Sequence, residues 1–363
     1  MSKTVNMDKV LEKRPPRVIE KLGERSKVCL LSSKDIFEVL KDRKSIIMTC
    51  NTRIKLVIPG IMQAAEDLDA IVGFELAKTE GDVDGGYTGQ NPDTYFKSCV
   101  EYAEEIGLTK PFFIHGDHVT VKNTSDEEIN AGKRLIAAEL EAGYTSFALD
   151  ASFNHIPDNI RITTELARPI IRAGYGLEVE VGEIKHLLAE TVITTVEEAV
   201  EFITGLNSNG IHPSLLAINN GSKHGNYLAG EKVHIDLKRT GEIYEVIKEY
   251  GVRIAQHGIT GTPLNVVGQF ADYGIRKGNV GTEWQNIAHK GLPEALMNKL
   301  KAWADENKKD VKMATKPFKK EIDSVDKVYK DRIRVMAYES ASAFIKALRA
   351  EGTAGMVLEA LSR

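Results

Sequence analysis

Residues 111–118, Pro-Phe-Phe-Ile-His-Gly-Asp-His, join an apolar run directly to a cluster of ionisable groups. The apolar half, Pro111 to His115, is continuous rather than alternating, which is how a strand covered on both faces reads. The same kind of run recurs along the chain at Ile46 to Cys50, Ala70 to Leu76, Ser146 to Asp150, Leu177 to Val181, Ser214 to Ile218, Arg253 to Gln256 and Ile275 to Val280. Longer amphipathic stretches separate these runs, as a parallel sheet with crossover helices requires. Ser125 followed by Glu128, and Thr195 followed by Glu198, predict capping boxes, and Thr262-Pro263 predicts an N-cap with proline at the first helical position. Gly251 and Gly274 are placed to stop helices just before the next strand. Eight consecutive units without a break predict an α/β chain closed into a (β/α)8 TIM barrel over residues 46–305, with an open doubly wound sheet as the alternative.

The flanks read differently. Residues 1–45 are charged and contain Arg14-Pro15-Pro16, so they are expected to form a helical extension outside the barrel. Residues 306–363 begin Lys-rich and polar and continue into an amphipathic helix from Ile333 to Arg349, a tail expected to pack on the barrel or on a neighbouring subunit. A length of 363 residues suits one barrel with such additions. With 48 Lys plus Arg against 52 Asp plus Glu, a net charge of -4 provides no field for nucleic acid or an anionic membrane. No run approaches the roughly 20 apolar residues that span a bilayer, and no leader pattern opens the chain, so a cytoplasmic protein is expected. Cys29, Cys50 and Cys99 are odd in number and far apart, which argues for buried small hydrophobes rather than disulfides or thiolate ligands.

In a barrel, residues just past each strand share one mouth. There the third strand delivers His118, the stretch after the sixth His224, and the seventh leads into His257. A single strand-end histidine is usually a hydrogen-bonded core residue, but three at one end form a ligand set for a divalent ion, Zn2+ by preference, with a position left open for substrate. Asp117, adjoining His118, is a candidate proton donor and acceptor. Asp150 and Glu180 have two readings, ligands of a second cation or partners of basic neighbours. Gly258, Thr260 and Gly261, just before the helix expected at Pro263, offer backbone N–H groups and a hydroxyl to an anion such as phosphate, and Thr282 adds another hydroxyl before the last barrel helix.

These residues in this order resemble the class II, metal-dependent fructose-bisphosphate and tagatose-bisphosphate aldolases. His115-Gly-Asp-His118 is similar to that family's H-x-D-H, Glu180 stands in an E-x-G, and Gly221-Ser-Lys-His-Gly225 is similar to G-x-x-H-G. His257-Gly-Ile-Thr-Gly-Thr-Pro263 resembles H-G-G-S-G-x-P, and Asn279-Val-Gly-Thr-Glu283 resembles the N-V-D-T-D/E block. The likeness runs from about Ile46 to Met356. It implies that His118, His224 and His257 hold zinc and that Asp117 exchanges a proton with the hydroxyl formed from the aldehyde. By the same likeness Asp150 and Glu180 match an auxiliary metal position, divalent or monovalent. Gly225, Gly258, Thr260 and Thr282 would hold a phosphate of dihydroxyacetone phosphate, with Asn279 near its reacting carbons. The implied partner is a small-molecule sugar phosphate, and a homodimer or homotetramer is expected.

The sequence departs from the family pattern where hydroxyls and phosphates are recognised. The aspartate of the strand-eight block is Gly281, and a lysine past the strand-six histidine is missing near Leu228. The glycine-rich loop with paired acids after strand five is replaced by a segment carrying Glu183 and Glu190, either of which is placed to abstract the substrate proton. Rival readings stay open: a Schiff-base aldolase through Lys223, a metal-dependent hydrolase or isomerase on the same barrel, and a non-catalytic accessory subunit.

Overall fold

Eight parallel strands close into one barrel in sequence order, each hydrogen-bonded to the next and the first to the eighth. The computed structural model describes residues 5–182, 193–222 and 234–363. The strands are β1 (Ile47–Asn51), β2 (Val72–Ala77), β3 (Phe112–Thr120), β4 (Ser146–Asp150), β5 (Gly176–Val181), β6 (Leu215–Ile218), β7 (Arg253–Gln256) and β8 (Ile275–Val280). Every apolar run expected to be a strand is one. The open doubly wound alternative is excluded by the β1–β8 pairing, in which Met48 lies opposite Gly278 and Cys50 opposite Val280. β3 continues past its expected end at His115, so the polar His-Gly-Asp-His segment is itself sheet.

The helix signals fare unequally. Thr195 makes both halves of its capping box, accepting from Glu198 N at 3.1 Å while Glu198 accepts from Thr195 N at 2.9 Å. Ser125 caps its helix, but Glu128 turns instead to the backbone N–H of Lys122. The Thr262-Pro263 expectation is corrected: Pro263 is itself the cap, and the helix it opens, Leu264–Val267, is a single turn. The Thr262 N–H is spent on a tight turn to the Ile259 carbonyl, so the chain turns through Thr262 instead of starting a helix there. Gly251 and Gly274 end their helices with φ of 81° and 84°, the left-handed region open to glycine.

Alternation puts Ile47 and Phe113 on the same inward face of their strands as Asn51 and Asp117, near the opposite end of the barrel. There Phe113, Leu215 and Ala217 pack in one apolar cluster with Leu31, Ile36 and Phe37 of the N-terminal extension and with Val357 and Leu358 of the last helix, Thr353–Leu361. The N-terminal extension seals the floor of the barrel against β3: Leu31 N donates to the Phe112 carbonyl and Phe112 N to that of Cys29. The expected tail helix spans Lys327–Ala347 and packs on the helix Ile58–Asp67 at Gly60, where a Cβ would collide with the Arg334 carbonyl oxygen. A short turn, Val311–Ala314, carries Lys312 to the other end of the barrel. No described helix is long and apolar enough to cross a membrane.

Candidate active site

A cavity of about 220 Å³ opens where the C-terminal ends of β1, β2, β3, β7 and β8 meet. Of the residues singled out from sequence, Asp117, His118, His257, Gly258, Thr260, Asn279 and Thr282 line it. His224 and Gly225, and the candidate bases Glu183 and Glu190, lie outside the described residues, as does Lys223.

Strand alternation would send Asp117 and His118 to opposite faces. Here the β3–β4 pairing shifts between Gly116 and Val119, and His118 takes a φ of 43°, a left-handed backbone that only a well-supported surrounding holds at a non-glycine residue. This irregularity brings both side chains into one cavity. One ligand atom each from Asp117, His118 and His257 lie within 4.8 Å of one another, and the His118 and His257 rings meet edge to face at 4.4 Å between centroids.

Carboxylates stand behind both imidazoles. His118 Nδ1 is 3.0 Å from Glu180 Oε2 and 3.5 Å from Asp150 Oδ2, and His257 Nε2 is 2.8 Å from Glu178 Oε1. A carboxylate on one ring nitrogen places the proton of a neutral imidazole there and turns the lone pair of the other nitrogen outward, the arrangement that supports metal-ligating histidines. Burial alone would push His118 down, but Asp117, Glu180 and Asp150 outweigh it and hold the imidazole well above its ordinary range. The mixed imidazole and carboxylate donors gathered here suit a divalent cation such as zinc. Asp150 also accepts from Ser152 N and Oγ. The geometry is compatible with both readings: Asp150 and Glu180 lie beside a basic neighbour, His118, and His118, Asp150 and Glu180 are also close enough to share an ion.

Asp117 is held at both oxygens. Asn51 Nδ2 donates to Oδ2 at 2.9 Å and Asn279 Nδ2 to Oδ1 at 3.0 Å, and Lys277 Nζ orients Asn279 by donating to its Oδ1 at 2.7 Å. Burial would raise the Asp117 carboxyl, but His118, Lys277 and His257 outweigh it and keep it below the usual carboxylate range. It is thus held in its ionised form.

Sequence reasoning missed the layer beneath. Lys277, fully buried, lies 2.9 Å from Glu178 Oε2 and 3.5 Å from Glu75 Oε2. Charged residues inside otherwise apolar strand runs were the available signal, since such groups are almost never fully buried unless paired. His115 is buried beside this layer with Nδ1 2.6 Å from Ser146 Oγ, and burial together with Lys277 pushes it down to about 3. Burial thus keeps its imidazole neutral. Asn51 also lines the mouth, together with Arg53, Glu80 and Lys312, which the sequence did not single out.

On the β7 side, Thr260 Oγ1 accepts from Glu283 N at 3.3 Å, joining the Gly258–Gly261 loop to the start of the helix Thr282–Gly291. The helix after Pro263 is one turn long, so the longer helix whose N-terminus lies at this rim is Thr282–Gly291.

A family model described as fructose-bisphosphate aldolase class-II matches residues 31–341. The chain is 27% identical over 275 residues to a probable fructose-bisphosphate aldolase of Bacillus subtilis, covering 74% of this chain and 87% of that protein. It is 28% identical over 210 residues to the fructose-bisphosphate aldolase of Geobacillus stearothermophilus, covering 55% and 66%. Among solved structures, the fold is similar to the YdjI aldolase of Escherichia coli, with TM-score 0.62, 20% identity and coverage of 88% and 97%. It is likewise similar to the fructose-bisphosphate aldolase of Campylobacter jejuni, with TM-score 0.65, 16% identity and coverage of 88% and 95%.

Proposed function

This chain belongs to the class II fructose-bisphosphate aldolase family, and from that premise we propose that it reversibly cleaves a ketose bisphosphate, fructose 1,6-bisphosphate first, to dihydroxyacetone phosphate and an aldehyde such as glyceraldehyde 3-phosphate. The observation that carries this reading is the convergence of Asp117, His118 and His257 in one cavity whose rim also holds Gly258, Thr260 and Thr282. His118, His224 and His257 would hold zinc, with Asp150 and Glu180 orienting His118 or sharing a second cation. When bound, such an ion supplies Lewis-acid polarisation of the substrate ketone and stabilises the enediolate.

The chain's own groups do the rest. Gly258 N–H, Thr260 and Thr282 receive one phosphate and set the register of the sugar in the mouth. Asp117, ionised and aimed by Asn51 and Asn279, takes the proton of the hydroxyl whose carbon becomes the aldehyde, and returns it in the condensation direction. Because both Asp117 oxygens are tethered, no reorientation precedes the transfer. Glu183 or Glu190 would exchange the carbon-bound proton. Tagatose 1,6-bisphosphate and modified ketose phosphates remain substrates of the same chemistry.

The test is metal analysis of the purified protein with cleavage of fructose and tagatose bisphosphates before and after chelation. We expect about one zinc per chain, loss of cleavage on chelation, and recovery on adding zinc back. Full cleavage by the metal-free protein overturns the reading.

A further inference from the structure

Gly281 has φ -114° and ψ -67°, which demand no glycine. Its lack of a side chain has a spatial consequence: a Cβ there would lie 3.1 Å from Arg53 Nη2 and 3.1 Å from Asn51 Oδ1. The guanidinium of Arg53 thus occupies the space next to Gly281, on the wall of the cavity. It is anchored there by one edge. Arg53 Nε donates to Glu80 Oε1 at 2.6 Å, and Glu80 is itself held by Tyr87 Oη at 3.2 Å, Ala77 N at 3.1 Å and Asn51 Nδ2 at 3.1 Å. The N–H groups of Nη1 and Nη2 have no hydrogen-bond partner among the described residues. An arginine fixed through Nε with its forked end unspent is pre-organised for a carboxylate or phosphate.

Lys312 lines the same cavity from the C-terminal tail, its backbone set by Asp310 and Thr315 and its ammonium in no ion pair among the described residues. The side of the substrate these cations face follows from Asn51, which donates both to Asp117 Oδ2 and to the Glu80 carboxylate that anchors Arg53. Arg53 therefore stands on the Asp117 side, where the aldehyde-derived hydroxyl sits if the proposed function holds. Resting on that reading, we infer that Arg53, admitted to the mouth by Gly281 and joined by Lys312, binds an anionic group on the aldehyde half of the substrate and makes position 281 a determinant of specificity.

The test condenses dihydroxyacetone phosphate with glyceraldehyde 3-phosphate, with succinic semialdehyde and with uncharged glyceraldehyde, using the zinc-loaded full-length protein. The readout is the ratio of kcat/KM for each anionic aldehyde over glyceraldehyde, in which any general damage to Asp117 through Asn51 cancels. In Arg53→Gln the ratio for the preferred anion should fall roughly 10- to 100-fold, and in Lys312→Gln by a smaller factor. Which anion responds separates a phosphate from a carboxylate. Gly281→Asp should lower the ratio more than the equally sized Gly281→Asn, because only the aspartate pairs with Arg53. A wild-type ratio near one, a ratio unmoved in Arg53→Gln, or equal effects of the two position-281 variants overturns the inference. If no aldehyde yields product, the proposed function falls, and calorimetric titration with glyceraldehyde 3-phosphate decides the subsite separately: weaker binding in Arg53→Gln supports it, and unchanged binding overturns it.

Discussion

The two ends of the barrel interior are built from the same strands and do opposite work. At the floor, Phe113, Leu215 and Ala217 meet apolar side chains of both chain extremities, and Phe37 stacks edge-on against Phe113 at 5.9 Å. Toward the mouth, the barrel interior holds Asn51 and Asp117 above a layer of Glu75, Glu178 and Lys277, joined by buried ion pairs and hydrogen bonds. The floor is held by area removed from water, which tolerates imprecise geometry. The mouth is held by charges whose burial is costly unless every partner is in place. A barrel can thus carry a chemically exacting site because its other end supplies stability of a less exacting kind.

The largest expected effect that tests this division is at the mouth. Asp117→Asn keeps the shape but loses the proton acceptor, and kcat should fall by roughly 100- to 10,000-fold. Steady-state kinetics beside a urea titration would show a far smaller change in stability than in rate. Next comes the floor: Phe113→Ala should cost about 3–5 kcal/mol of unfolding free energy by denaturant titration. The folded fraction should retain kcat within about twofold, and a collapse of kcat in step with stability would break the proposed independence of the two ends.

The smallest effect concerns the outer surface. Asp272 accepts from Arg349 at 2.8 Å and from Lys44 at 3.1 Å, tying the tail and the end of the extension to the barrel. These two cations lower its carboxyl to about 2 from an ordinary 3.8. The folded-state value is depressed, so the contribution is complete above pH 3.8 and is lost as pH falls through about 2. The groups are partly exposed, so solvent screening limits the pair to on the order of 0.5 kcal/mol. Arg349→Gln should remove that increment at neutral pH and flatten the corresponding part of the acid-unfolding curve.

The strands were legible because each is a local apolar run, and their ends placed His118, His257, Thr260 and Thr282 at the mouth together. The length of β3 was not, since His-Gly-Asp-His does not read as sheet by hydrophobicity. The single-turn helix after Pro263 was also hidden, because a cap signal reports where a helix can start and not how far packing lets it continue. Lys277, Glu75 and Glu178 were visible as letters, but only their mutual distances explain charges inside strands.

By itself, the sequence determined the order of strands and helices, the stops at Gly251 and Gly274, and the presence of imidazoles at strand ends, since these depend on neighbours a few residues apart. Tertiary structure alone decided that Asp117 is gripped by Asn51 and Asn279, that Arg53 fills the room beside Gly281, and that Lys312 reaches the mouth from the tail. Those groups are far apart along the chain, and it is barrel closure that fixes their separations, to the fraction of an ångström on which hydrogen bonds and ion pairs depend.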